Sequence, residues 1–222
     1  MTVRHPAKYT DSFISIFAEL LKGKTNVLDP FAGTGKIGLI KDCGFSGKVY
    51  ANEIEPEWIN PNKYNCDFIT TEDAEFLQYP FGFFDAICTS PTYGNRMADH
   101  HIAKDGSKRN TYTHCIGRPL SDGNTGKMQW GSEYMEKHER IYKHLASLVK
   151  YDGLFICNVK NHIRKGEEVD VKSFHERSII ESGFTKVKEI FIKTNGNCFG
   201  ANADKRTRGE YILIFVKSGD DG

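Results

Sequence analysis

Short apolar runs alternate along the chain with stretches whose apolar residues return every three or four positions. The runs TNVLDPF (25–31), GKVYANEIE (47–55), DFITT (67–71), FFDAICTS (83–90) and GLFICNVK (153–160) predict short buried strands. Between them, TDSFISIFAELLK (10–22) opens on a Thr-Asp cap and GTGKIGLIKDCG (33–44) closes on a glycine, as helices do. EPEWINPNKY (55–64) is a short helix candidate interrupted by Pro61. The longest candidate, residues 132–150, carries Tyr134, Ile141, Leu145 and Leu148 along one side, and VKSFHERSIIESG (171–183) again ends at glycine. Two last strands, 184–194 and 209–217, follow one another with only a polar loop between them. Alternation closed by a hairpin predicts an α/β fold with a mostly parallel sheet and an antiparallel member. Residues 94–130 fit neither period. Polar and rich in Gly, Asn, His and Lys, they read as an insertion after the fourth strand, and loops that long are usually functional or disordered.

Composition narrows the classes. Hydrophobic residues at 39% and aromatics at 12% suffice for one core in a chain of 222 residues. No apolar run approaches the roughly 18 residues a membrane span needs. The start, MTVRHPAKYTDSF, has no apolar leader, so the chain reads as mature and cytoplasmic. Six scattered cysteines without a C-x-x-C read as reduced core thiols rather than a zinc site.

Net charge is +1, so nucleic-acid binding would have to rest on local patches. Residues 94–130 hold six basic residues (Arg96, Lys104, Lys108, Arg109, Arg118, Lys127) against three acids (Asp99, Asp105, Asp122). HIRK (162–165) and KRTR (205–208) add two more patches; ordinary solvated loops are the alternative for each.

The strongest local signal is VLDPFAGTGKIG. A strand ends at Asp29, a turn holds Gly33 and Gly35, and a helix follows; glycine there permits positive φ and close approach of a ligand to the backbone. The loop lacks the spacing of a phosphate loop, and it is not taken for a dinucleotide fingerprint. The second strand ends in ANEIEP, where an acid can accept both ribose hydroxyls of an adenosine. Glu53 stands there with Ile54 beside it to cover an adenine face, and Glu55 is a near-equal rival. After the third strand, Asp73 of TEDAEF can accept from an adenine amino group.

DPFAGTG resembles the D-x-F-x-G-x-G loop of S-adenosylmethionine-dependent methyltransferases that act on amino groups in DNA. TSPTY (89–93) resembles their S/D/N-P-P-Y/F/W tetrad, and HPAKYT (5–10) their H-P-x-K/R-F/Y segment. The likeness covers three short motifs within residues 5–95. It implies a single Rossmann-like class I methyltransferase domain over residues 1–222, with a seven-stranded sheet whose C-terminal strand is antiparallel. It implies S-adenosyl-L-methionine as cofactor, its methionine end against Asp29, Phe31, Ala32, Gly33 and Gly35. The ribose would lie on Glu53, the adenine near Ile54, Asp73 and Ala74, and Lys8 near the cofactor carboxylate. His5 reads as a packing or capping residue.

The resemblance also implies a catalytic set of Ser90, Pro91 and Tyr93. An exocyclic amino nitrogen is a poor nucleophile because its lone pair is delocalised into the ring. Acceptors aimed at its two protons, the Ser90 hydroxyl and the Pro91 carbonyl, let it pyramidalise and stabilise the charge that develops. Tyr93 would be the stacking wall, and neither a metal nor a strong general base is required. Thr92 stands where the family has a second proline. Serine in first place favours cytosine N4 over adenine N6.

A double-stranded target implies base flipping. The insertion, bounded at 94–132, and the loop at 194–209 are the expected recognition surface, through Arg96, Lys108, Arg109, Lys205, Arg206 and Arg208 on DNA. So short a chain leaves either a short target or help from a partner, a recognition protein or a second copy. Competing readings are an RNA or protein N-methyltransferase, and a non-catalytic cofactor-binding subunit that positions nucleic acid.

Overall fold

The computed structural model describes residue 5 and residues 11–94, 111–194 and 209–219. Strands β1 (Asn26–Asp29), β2 (Lys48–Asn52), β3 (Phe68–Thr70), β4 (Phe84–Thr89), β5 (Val149–Val159), β8 (Phe184–Lys193) and β9 (Gly209–Lys217) form one sheet in the order β3-β2-β1-β4-β5-β9-β8. β9 runs antiparallel to both of its neighbours, and the pairings from β3 to β5 are parallel. The expected seven-stranded, mostly parallel sheet with an antiparallel C-terminal strand is the one observed.

The strands alternate their side chains between two apolar layers. Val27, Val49, Ala86, Ile156, Ile212 and Ile214 face helix α1 (Asp11–Leu20), with its buried Phe13, Phe17 and neighbouring Leu21. Leu28, Tyr50, Ile87, Phe155, Leu213 and Phe215 face α3 (Ser132–Leu148) and α4 (Val171–Glu181). A strand covered on both faces needs apolar residues at every position, which is why these segments read as continuous runs.

Asp85 of β4 clamps the start of β1. It accepts from the Thr25 N–H (3.1 Å), the Thr25 hydroxyl (2.5 Å) and the Asn26 N–H (2.8 Å), and pairs with Lys150 (2.7 Å). Burial alone would raise its pKa; Lys150 and these donors more than offset that and hold the carboxyl well below the usual range.

Four expectations are corrected. Residues 36–43 form a 3-10 helix (Lys36–Cys43) rather than an α-helix, the Gly38 N–H reaching the Gly35 carbonyl three residues back (3.0 Å). Residues 55–64 make turns and no helix, consistent with Pro61 and two asparagines. A hairpin, β6 (His162–Arg164) with β7 (Glu167–Val169), intervenes between β5 and α4. The insertion holds a short α2 (Tyr112–Ile116) and a 3-10 turn (Thr125–Lys127).

Among the described cysteines, all free, only Cys88 and Cys157 are buried in strands, and Cys43 is exposed. No helix among the described residues is long and apolar enough to cross a membrane, and no described cluster of His, Cys, Asp or Glu could hold a metal ion.

Candidate functional site

β1, β2 and β4 are parallel, so Asp29, Glu53 and Ser90 emerge along one sheet edge. Asp29 is fully buried. Its Oδ1 accepts from the Thr89 hydroxyl (2.6 Å) and the Phe31 N–H (3.1 Å), tying the end of β4 to the loop after β1. Gly33 and Gly35 have φ of +55° and +79°, so the loop turns in a conformation that side chains resist. A Cβ on Gly33 would lie 3.4 Å from the His5 ring, which meets Trp58 edge-on at 4.4 Å; His5 packs on the loop. Gly33, Gly35 and Gly38 stand at G-x-G-x-x-G spacing, so spacing does not separate this loop from a dinucleotide fingerprint. Gly38 fills the helix-packing role, since a Cβ there would come within 2.9 Å of the Asn65 backbone.

The two acids after β2 have separate employment. Glu53 is 6% exposed and accepts from the Gly33 N–H (2.9 Å) and the Glu55 N–H (3.0 Å). Burial pushes its carboxyl up to about 8, against the pull of those donors. Glu55, fully buried, is saturated by the insertion. It accepts from the Ser121 N–H (2.7 Å), the Ser121 hydroxyl (2.9 Å) and Asn124 Nδ2 (2.8 Å), and pairs with Arg118 (2.7 Å), which also grips Glu57. Glu55 therefore anchors residues 118–124.

Asp73 accepts from the Glu75 N–H (3.0 Å) and pairs with the buried Lys137 of α3 (2.7 Å). Gly123, at φ +84°, lays its backbone against the Asp73 carboxylate, with Ile54 Cδ1 3.7 Å from where its Cβ would be. Ala74 is buried below. Residues 118–125 thus form a strap across the edge where Ile54, Asp73 and Ala74 meet.

Ser90, Pro91, Thr92 and Tyr93 follow β4 directly. The Ser90 and Tyr93 hydroxyls are 3.0 Å apart. With Ser90 as donor, both Oγ lone pairs stay free to accept from a ligand. The Tyr93 ring packs against the layer under α3, and burial, with the Glu210 charge adding to it, raises its pKa and keeps it a neutral phenol. Thr92 has two anchors. Its hydroxyl meets that of Thr125 at 2.9 Å, and its carbonyl accepts from Tyr134 Oη. The threonine that departs from the family pattern is the residue that joins this loop to the strap.

Sequence reasoning missed the buried polar group behind Thr92. Tyr134 Oη lies 2.9 Å from His175 Nε2, and His175 Nδ1 lies 2.6 Å from Tyr142 Oη. Burial, with His138 beside it, drives the His175 pKa well below the ordinary value, so the ring is neutral. Tyr134 and Tyr142 lie on the apolar stripe of a helix, which hides a polar role in the sequence.

The insertion closes on itself at its base: the Trp130 N–H donates to the Gly94 carbonyl (3.0 Å). Arg164 of the HIRK patch is spent on this base, bonding the Trp130 carbonyl (3.0 Å) and Gln129 Oε1 (2.9 Å). Lys8, Arg96, Lys108, Arg109, Lys205, Arg206 and Arg208 lie outside the described residues.

No protein-family model and no curated protein sequence matches the chain. Solved structures do. The [4+2]-cyclase SpnF superposes with a TM-score of 0.60 at 14% identity, covering 94% of this chain and 80% of that one. N-methyltransferase NodS from Bradyrhizobium japonicum gives 0.55 at 10% identity, over 94% of each chain. A putative S-adenosylmethionine-dependent methyltransferase from Listeria monocytogenes gives 0.54 at 10%, over 95% of this chain and 100% of that one. That a cyclase shares the architecture shows that the fold does not dictate the reaction. The chain has the Rossmann-like fold of class I methyltransferases, and its chemistry has to be argued from the site.

Proposed function

We propose that the chain is an S-adenosylmethionine-dependent methyltransferase acting on an exocyclic amino group in DNA, cytosine N4 in preference to adenine N6. One observation carries the reading: the Thr89–Asp29 hydrogen bond of 2.6 Å sets the glycine loop and the Ser90 acceptor side by side.

The residues present suit the cofactor. Gly33 and Gly35 hold the loop in a left-handed turn, Glu53 offers a carboxylate to a ribose, and Ile54 offers an apolar wall. When bound, S-adenosylmethionine supplies an electrophilic methyl group. The chain's part is to orient the amino nitrogen. Ser90 Oγ and the Pro91 carbonyl accept its two protons, favouring the pyramidal geometry and the charge that develops in the transition state. Holding the two reactants in line accounts for much of the remaining rate.

A nucleic-acid target is supported by the register of the last strands. Val159 pairs with Tyr211 and Lys193 with Gly209, which puts both ends of the 194–209 loop on the edge that carries Ser90. Lys205, Arg206 and Arg208 of that loop, with Arg96, Lys108 and Arg109 of the insertion, are the proposed phosphate contacts. Lys8 is proposed for the cofactor carboxylate.

Incubation of the purified protein with labelled cofactor and separate pools of DNA, RNA and protein tests the reading. Label in DNA that appears as N4-methylcytosine on nucleoside analysis supports it fully, and N6-methyladenine corrects the base. Label in RNA or protein alone, or tight cofactor binding without transfer to any pool, overturns the DNA assignment.

A further inference from the structure

Thr92 is the hinge of the 90–93 loop. Pro91 before it has a fixed φ, and the Thr92 peptide sets where the Tyr93 ring and hydroxyl go. Among the described residues no hydrogen bond leaves the Thr92 N–H, so its carbonyl and hydroxyl carry the restraint.

The proton positions behind that carbonyl follow from elimination. A carbonyl only accepts, so the single Tyr134 proton points at Thr92. His175 Nε2 must then donate to Tyr134 Oη. In a neutral ring Nδ1 is the acceptor, so Tyr142 donates to it. Every bond points the same way, ending on Thr92. Tyr134, Tyr142 and His175 are all fully buried, and a reversed link would strand two protons or two lone pairs against each other.

From this geometry we infer that Tyr134, held by His175 and Tyr142, is the positioning residue of the 90–93 loop. It fixes the Thr92 peptide, and with it the relation of the Ser90 hydroxyl to Tyr93, by hydrogen bonding where a second proline would do so by ring closure. The inference deepens the transferase reading and depends on it only for its effect on rate.

The test compares Tyr134→Phe, Tyr142→Phe and the double variant Tyr134→Phe/Thr92→Pro, all checked for cooperative unfolding. Tyr134→Phe is expected to speed amide exchange at Trp130, whose N–H is held by the Gly94 carbonyl at the end of the loop, about tenfold relative to the sheet. It lowers kcat by at least about tenfold while cofactor Kd stays within about twofold. Tyr142→Phe acts in the same direction and more weakly. Thr92→Pro in the Tyr134→Phe background restores both exchange protection and most of kcat, which a purely structural tyrosine would not allow. Should Tyr134→Phe fail to fold, Tyr142→Phe carries the comparison. Unchanged exchange at Trp130 in the folded variants, exchange raised evenly across the sheet, or no restoration by proline overturns the assignment. If the wild-type protein transfers no methyl group, the transferase reading fails, and the exchange measurements still decide the role of Tyr134.

Discussion

The hydroxyl of Thr89 lies 2.6 Å from the carboxylate of Asp29, a fully buried side chain that it shares with the Phe31 N–H. Thr89→Val keeps the shape of β4 and removes this donor. Leaving a buried charge short of a partner costs about 1–3 kcal/mol. The expected result is a lower melting temperature and a cofactor affinity weakened roughly tenfold, read by calorimetry. Unchanged affinity would mean that the link between the loop and the Ser90 acceptor is decorative.

Glu53 makes stability and binding depend on pH. Its pKa is raised to about 8 in the folded chain from the ordinary 4.5 of a glutamate, so the folded state holds the proton more firmly than the unfolded one. Stability of the ligand-free protein therefore falls as pH rises from about 4.5 to 8, and Glu53→Gln flattens that slope. Ribose hydroxyls donate best to the ionised form, so cofactor binding near neutral pH should release a proton. Titration calorimetry in buffers of different ionisation enthalpy measures it, and no proton release would exclude Glu53 as the ribose acceptor.

Glu55 and Arg118 form an unequal pair. Glu55 is fully buried under four donors, whereas Arg118 is 37% exposed and shared with Glu57. Glu55→Ala strands several buried donors and should cost about 3 kcal/mol, with faster exchange over residues 120–125. Arg118→Ala, screened by solvent, should cost under about 1 kcal/mol. Equal losses in denaturant titrations would contradict this division.

Asp85 sets an acid limit. Its folded pKa is depressed by Lys150, Thr25 and Asn26, so its contribution is present above the unfolded carboxylate range and is lost as pH falls below it. Asp85→Asn should lower the melting temperature at pH 7 and narrow its difference from the wild type at pH 3. A constant difference would assign the effect to packing alone.

Much of this architecture is legible in the sequence because strands buried on both faces leave unbroken apolar runs and because glycines mark the loop after β1. The hairpin at 162–169 left a faint signal. Lys165 and Gly166, at φ +54° and +86°, form its two-residue turn, but lysine is an unusual first residue there and the short strands are half-buried and charged. Glu53 and Glu55 were indistinguishable by position, because what separates them is the return of Ser121 and Asn124 from far along the chain. Tyr134 and His175 were hidden for the same reason. Their spacing fits an apolar helix face, and only tertiary packing shows that their polar atoms converge on Thr92.

Gly94 and Trp130 share one backbone hydrogen bond, and Thr111 caps α2 through its side chain on His114. The described residues on either side of 95–110 are thereby tied to the fold. Exchanging what lies between those ties should leave the edge bearing Asp29 and Ser90 as it is. Sequence change between the two ties is thereby uncoupled from the stability of that edge.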